Sequence, residues 1–232
     1  HNLGLGYHSD GAAVYQFGPL DTHIHHNIIR DTRSYPYICG YAGVYLDQQS
    51  RGACIENNLI YNVDWYAIRQ NGDENSQKNN LCAFARDGFL DRRGLEDDIN
   101  YTECVRNIYI ASNNVTLVAS AAWKKGIKLP LIQSNLYYTI ASDGKLDFEG
   151  RTVEEWEALG FEKGIVIGNP GCRNPAACDF SLPSDSFAAK KIGFVPFDKE
   201  IKKAGLYGDS SWRRIAQSYP ARKPQTVFWT RD

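Results

Sequence analysis

The sequence predicts an all-β solenoid, a right-handed parallel β-helix of which this chain is the C-terminal portion, and three observations carry that reading. Asparagine recurs ahead of a short apolar run, as in His26-Asn27-Ile28-Ile29, Asn57-Asn58-Leu59-Ile60, Asn79-Asn80-Leu81-Cys82, Arg106-Asn107-Ile108-Tyr109 and Ser134-Asn135-Leu136-Tyr137, with His1-Asn2-Leu3 as a first instance. The asparagines at 2, 27, 58, 80, 107 and 135 lie 25, 31, 22, 27 and 28 residues apart, a period suited to one coil with loops of varying size. Each apolar run is too short for a buried helix and is bounded by turn formers, which favours strands.

An asparagine at one place in every coil has a physical reason. An inward amide both donates and accepts along the solenoid axis, so each one can bond the same residue a coil away while satisfying the backbone of a tight bend. Coils stacked at about 4.8 Å pair every strand with its neighbours and fill the interior with aligned aliphatic side chains. Residues 1–140 are read as these coils.

From about Ala111 the pattern loosens, and residues 141–232 are read as a short helical insertion, a last coil and a closing segment of the same domain. Thr152 followed by Glu155, ahead of Trp156 and Leu159, forms a capping-box signature for that helix. Prolines at 170, 175, 183 and 196, with apolar pairs between them, mark a turn-rich segment expected to cover the exposed edge of the last coil.

Composition bounds the function. A chain of 232 residues with 43% hydrophobic content can bury one full core. Its 26 basic and 27 acidic residues nearly cancel, so no excess of positive charge exists to hold a nucleic acid. No run of about 18 apolar residues suggests a membrane span. An open first coil is expected to be completed by further N-terminal coils of the same polypeptide. Cys39, Cys54, Cys82 and Cys104 lie in apolar stretches and are expected to be buried free thiols, whereas Cys172 and Cys178 flank a turn and could close a short disulfide loop.

The candidate chemistry lies in two similar segments, residues 9–18 and 41–50. Aligning Val14-Tyr15 with Val44-Tyr45 makes their strands neighbours one coil apart. A carboxylate pair, Asp10 and Asp47, accompanies them, and paired carboxylates are what glycosidic cleavage requires. Strand counting leaves the two about 7 residues out of register, roughly 23 Å if extended, unless the Asp10 segment bends back. His8, Tyr15, Tyr45, Gln48, Trp65, Tyr66 and Arg69 are candidates to line a sugar site, aromatic faces stacking on a pyranose and polar groups binding hydroxyls. Tyr15 and Tyr45 read equally well as a cross-strand aromatic pair. His23, His25 and His26 alternate like a strand, but no third ligand is evident, so no metal is expected there. Glu96-Asp97-Asp98 reads as a solvated loop with calcium as the minor alternative, and no other cofactor is expected.

The phrases DGAAVYQFG, THIHHNIIRDT and GVYLDQQSRGACIENNLIYN, continued by NNLCAFARDG and FEGRTVEEWEALG, resemble bacterial right-handed β-helix proteins that include glycoside hydrolase family 141. The resemblance implies a secreted enzyme acting on oligo- or polysaccharides of the plant cell wall, with Asp10 and Asp47 as the catalytic pair. The chain departs from that pattern in Asp10-Gly11-Ala12, where relatives carry a second glycine, and in Gln70-Asn71-Gly72, where they carry a histidine near the glycine. Those changes point to a different sugar or to a scaffold kept without activity. Two further classes stay open. A polysaccharide lyase would need a basic residue over acidic ligands, for which Arg69 with Asp73 and Glu74 is the candidate. A noncatalytic carbohydrate-binding or structural β-helix would show an aromatic stripe without a convergent acid pair.

Overall fold

The computed structural model describes residues 3–4, 8–19, 21–34, 39–92, 102–112, 118–119, 131–160 and 162–203, with 209–211, 214 and 218. It is a β-solenoid of about four turns built from parallel sheets, with a few short helices. Each turn contributes one strand to each of three sheets. The first turn holds β1 (Gly11–Gln16), β2 (His23–His25) and β3 (Ile28–Arg30). The second holds β4 (Tyr41–Leu46), β5 (Cys54–Glu56) and β6 (Leu59–Tyr61), and the third β7 (Tyr66–Gln70), β8 (Asn75–Lys78) and β9 (Leu81–Ala83). The fourth holds β10 (Gly88–Arg92), β11 (Thr102–Val105) and β12 (Ile108–Ala111), followed by β13 (Val118–Ala119), β14 (Leu131–Gln133) and β15 (Leu136–Thr139). Helix α1 (Val153–Ala158), strand β16 (Val166–Ile167) and helices α2 (Phe187–Ile192) and α3 (Asp198–Ile201) follow among the described residues. The first sheet runs β1-β4-β7-β10-β13, the second β2-β5-β8-β11-β14 and the third β3-β6-β9-β12-β15-β16.

The corner between the second and third sheets explains the asparagine phrase. At each corner a residue in the left-handed conformation turns the chain: His26, Asn57, Asn79, Arg106 and Ser134 have φ of 54°, 55°, 54°, 56° and 53°. The next residue is the asparagine, whose amide turns into the bend. Asn27 donates from Nδ2 to Asn58 Oδ1 at 3.0 Å, Asn58 to Asn80 at 3.0 Å, Asn80 to Asn107 at 3.0 Å and Asn107 to Asn135 at 3.1 Å. Each acceptor oxygen also takes the backbone N–H of the asparagine before it, as Asn80 Oδ1 does from Asn58 at 3.1 Å. The expected ladder is therefore present along the coils. Its terminal member is a carboxylate: Asn135 Nδ2 donates to Glu162 Oε1 at 2.9 Å and Tyr137 Oη to Glu162 Oε2 at 2.7 Å.

Inside the coils, Val44, Leu46, Ile55, Ile60, Ile68, Cys82, Cys104 and Ile132 form one core. An aromatic column continues it, with ring centroids 5.4 Å apart for Phe89 and Tyr109, 5.1 Å for Tyr109 and Tyr137, and 5.0 Å for Tyr137 and Phe148. Trp156 of α1 closes the column 6.1 Å from Phe148 and is fully buried. The capping box at Thr152 forms as expected, its hydroxyl accepting from the Glu155 N–H while the Glu155 carboxylate accepts from the Thr152 N–H.

The closing segment lies elsewhere than expected. Phe180, Leu182, Ala188, Ile192, Phe194 and Phe197 pack against Tyr61, Leu81, Ala83, Ile108 and Ile110, which form the outer side of the third sheet. Asn79 fastens it, donating to Val195 O and accepting from Val195 N, both at 2.7 Å. The segment thus covers a flank, while α1 and its approach pack on the end of the core. The physical reason is that β6, β9 and β12 are apolar on both faces and require a cover outside as well as inside. Cys172 and Cys178 are free thiols and form no bridge. Among the described residues no helix is long and apolar enough to cross a membrane.

Candidate active site

On the first sheet Tyr15, Tyr45, Arg69 and Asp91 stand in register across β1, β4, β7 and β10. Their neighbours Val44, Ile68 and Leu90 belong to the core, so alternation turns this row outward. The edge residue Tyr15 remains 48% exposed, whereas Tyr45, Arg69 and Asp91 are buried. The Arg69 guanidinium lies between two rings, 4.0 Å from the centroid of Trp65 and 4.9 Å from that of Tyr45, and pairs with Asp91 at 3.0 Å. Tyr15 meets Tyr45 edge-on at 5.2 Å, the cross-strand pair anticipated from the repeat.

Asp47 follows the last residue of β4, and its backbone remains tied to the sheet through a 2.8 Å bond from its N–H to Gln16 O. Its side chain gathers donors from three successive coils. The Tyr15 hydroxyl donates to Oδ2, while Asn71 Nδ2 and the Gln48 N–H each donate to Oδ1 at 2.8 Å. The same Asn71 amide also reaches the Tyr45 hydroxyl at 3.0 Å. Partial burial acts to raise the Asp47 pKa, but the hydrogen bonds from Tyr15, Asn71, the Gln48 backbone and Tyr45 outweigh it and hold the carboxyl below the usual carboxylate range. The Tyr15 phenol moves the other way, raised by burial and then by its bond to the Asp47 carboxylate, and it stays protonated. Burial also raises Tyr45, opposed by the nearby Arg69 charge.

This arrangement is a half-exposed, ionised carboxylate fixed by neutral donors, beside the exposed ring of Tyr15. Such a group can act as a nucleophile or as a base. It is not prepared to act as an acid, which would require a raised pKa.

The remaining sequence candidates divide. Gln48 is exposed beside Asp47. Trp65, Tyr66 and Arg69 are buried and stand behind Tyr45 as its support. His8 and Asp10 are exposed at the opposite end of β1. The Asp10 N–H bonds Gly40 O at 3.0 Å, so the register sets its backbone seven residues along the strand from Asp47, roughly 23 Å. The Asp10 charge still contributes, least of the named groups, to raising the Tyr15 phenol. Arg69 does not join Asp73 and Glu74, which instead face Arg51 at 4.0 and 3.6 Å, because the outward row commits Arg69 to Asp91. The Glu96-Asp97-Asp98 segment lies outside the described residues.

Sequence reading missed Asn71 and Asp91. Asn71 follows directly after β7 just as Asp47 follows β4, and its N–H bonds Leu46 O at 2.8 Å. Aligning strand ends one coil apart, Leu46-Asp47 with Gln70-Asn71, is the signal that finds it. No protein-family model matches the chain, and neither does any curated protein or solved structure with which it was compared.

Proposed function

We propose that the chain is a glycoside hydrolase acting on complex polysaccharides of the plant cell-wall type, with Asp47 as its ionised carboxylate. The observation that carries this reading is the Asp47 carboxylate itself, half-exposed beside the exposed ring of Tyr15 and held by Tyr15, Asn71 and the Gln48 backbone below its ordinary pKa. In this scheme Asp47 attacks the anomeric carbon or activates water, Tyr15 and Gln48 contact the sugar, and Asp10 is the candidate acid. For the two to act on one bond their carboxyl groups must come within about 10 Å, so Asp10 must reach back over the sheet.

The position of Asp10 at the far end of β1 favours a second reading, a glycan-binding β-helix without turnover. One experiment separates the two. The protein is incubated with a panel of cell-wall polysaccharides, with released oligosaccharides and bound glycan measured in parallel. The hydrolase reading expects products whose release falls about 10²–10⁴-fold in Asp47→Asn, with binding retained. Glycan binding without products from any substrate supports the second reading. Product release unchanged in Asp47→Asn removes Asp47 from the chemistry.

A further inference from the structure

We propose that the outer face of the second sheet carries a metal site in which His23 Nε2, Cys54 Sγ and a carboxylate oxygen of Glu56 bind one borderline divalent transition-metal ion, Zn²⁺ foremost. The site lies on different strands and a different sheet from Asp47.

Strands β2 and β5 are parallel neighbours with His23 opposite Cys54, Ile24 opposite Ile55 and His25 opposite Glu56. Ile24 and Ile55 point into the core, at 5% and 0% exposure. The two-residue period of a strand therefore turns His23, His25, Cys54 and Glu56 to the outer face. Three of them converge. Ligand atoms of His23, Cys54 and Glu56 all lie within 4.8 Å of one another, and His23 Nε2 is 2.8 Å from Glu56 Oε1. Tetrahedral Zn²⁺, with bonds of about 2.0–2.3 Å, holds neighbouring ligand atoms somewhat closer than that outer limit, so small side-chain rotations close the site.

The donor set selects the class of metal. Nitrogen, thiolate sulfur and one carboxylate suit Zn²⁺ and its neighbours, while Ca²⁺ and Mg²⁺ require oxygen shells. The surroundings leave these donors available. Cys54 is a free thiol. Lys78, which stands opposite Glu56 on β8, has its ammonium 2.7 Å from Glu103. His25 lies against His23 with ring centroids 4.4 Å apart, and its Nδ1 is 2.9 Å from His26 Nδ1, so it braces the His23 ring.

Binding places the ion at His23 Nε2 in place of its contact with Glu56 Oε1. Cys54 binds as the thiolate after releasing its proton to solvent, and water fills the fourth position. The His23 and Glu56 side chains are 52% and 31% exposed, so an ion held there remains open to an exogenous ligand.

The test uses the full chain freed of metal with a chelator. Co²⁺ is titrated while a thiolate-to-metal charge-transfer band is followed, and Zn²⁺ affinity is measured by competition with a chromogenic chelator. The expected result is one equivalent of metal and a thiolate band that disappears in Cys54→Ser. Zn²⁺ affinity should fall by about tenfold or more in Cys54→Ser, His23→Gln and Glu56→Gln. Circular dichroism and Tm identify variants that remain folded, and any folded member of the three ligand substitutions suffices. Failure to take up Zn²⁺ in competition, or equal uptake by wild type and the folded ligand variants, overturns the site.

Discussion

Asn80→Ala removes the middle of the asparagine ladder, and its cost can be worked from the bonds it breaks. Asn80 is fully buried. Its Nδ2 donates to Ile55 O at 2.9 Å and to Asn107 Oδ1 at 3.0 Å, while its Oδ1 accepts from the N–H and the Nδ2 of Asn58 at 3.1 and 3.0 Å. Some partners keep other bonds after truncation. Asn58 Nδ2 still reaches Ile24 O and Glu56 O, and Asn107 Oδ1 still accepts the Asn80 N–H. The Asn58 N–H and the Ile55 carbonyl each lose a partner inside the protein. Losing the partner of a buried polar group costs about 1–3 kcal/mol, so the two together, with some relief from inward water, come to about 2–5 kcal/mol. For a chain of this size that is a fall in Tm of about 4–20 °C. The control is Asn27→Ala at the half-buried first rung, where Asn58 Oδ1 keeps the Asn27 N–H and the cost stays within about 1 kcal/mol. Chemical denaturation followed by circular dichroism at 25 °C measures both. If Asn80→Ala costs no more than Asn27→Ala, the buried amide ladder does not hold the coils together, and the core alone does.

Three further outcomes follow from the same geometry. Burial pushes the Glu162 carboxyl up to about 7, against the hydrogen bonds from Asn135 and Tyr137. Because the folded pKa exceeds the unfolded value, the native state binds the extra proton. The stability from this group is full below about pH 4.3 and is lost as pH rises through 7. Glu162→Gln should flatten the stability profile between pH 5 and 8, measured as Tm against pH, and an unchanged slope would assign the dependence to other groups. Thr152→Ala removes the capping box of α1 and should cost about 1 kcal/mol in the same denaturation assay, with Thr152→Ser recovering most of it. Tyr15→Phe removes a donor that lowers the Asp47 pKa. In an active hydrolase it should move the acidic limb of the kcat/KM profile to higher pH, and a limb that stays in place would show that another group sets it.

The fold was legible because its determinants are local. A left-handed corner residue and the inward asparagine after it occupy two consecutive positions, so each coil announces itself within one short phrase. What was not legible depends on which face a residue takes or on a neighbour a coil away. Cys54 sits between Ala53 and Ile55 and reads as a buried hydrophobe, yet the core takes Ile55 and alternation turns Cys54 outward beside His23. Glu162 occupies the ladder position after Asn135, but it is not an asparagine, and only the buried amide beneath it reveals its place. The closing segment covers a flank because of a property of the strands beneath it, the run Leu59-Ile60-Tyr61 among them, which its own prolines do not reveal. A strand apolar at every position declares that both its faces are covered.

Parallel stacking in register also determines how this molecule can assemble chemistry. Each coil offers one residue per column, so a site gathers members spaced by the length of a coil: Tyr15, Asp47 and Asn71 at one place, His23 and Cys54 at another. The loops absorb the variation in coil length, from 22 to 31 residues between rungs of the ladder, without moving a column. A one-residue slip within a strand has the opposite effect, because it exchanges the inner and outer faces and would send Tyr45 or Cys54 into the core. The position of Asp47 meets this constraint in a particular way. It stands one residue beyond β4, where the backbone is still bonded to Gln16 below it and Asn71 is bonded to Leu46 in turn. The carboxylate therefore keeps the precision of the sheet while standing at its rim, where a ligand has room to approach. The same reasoning explains why an amide, and not a second carboxylate, follows one coil on. At that spacing a like charge would raise the Asp47 pKa, whereas Asn71 donates to it and keeps it ionised.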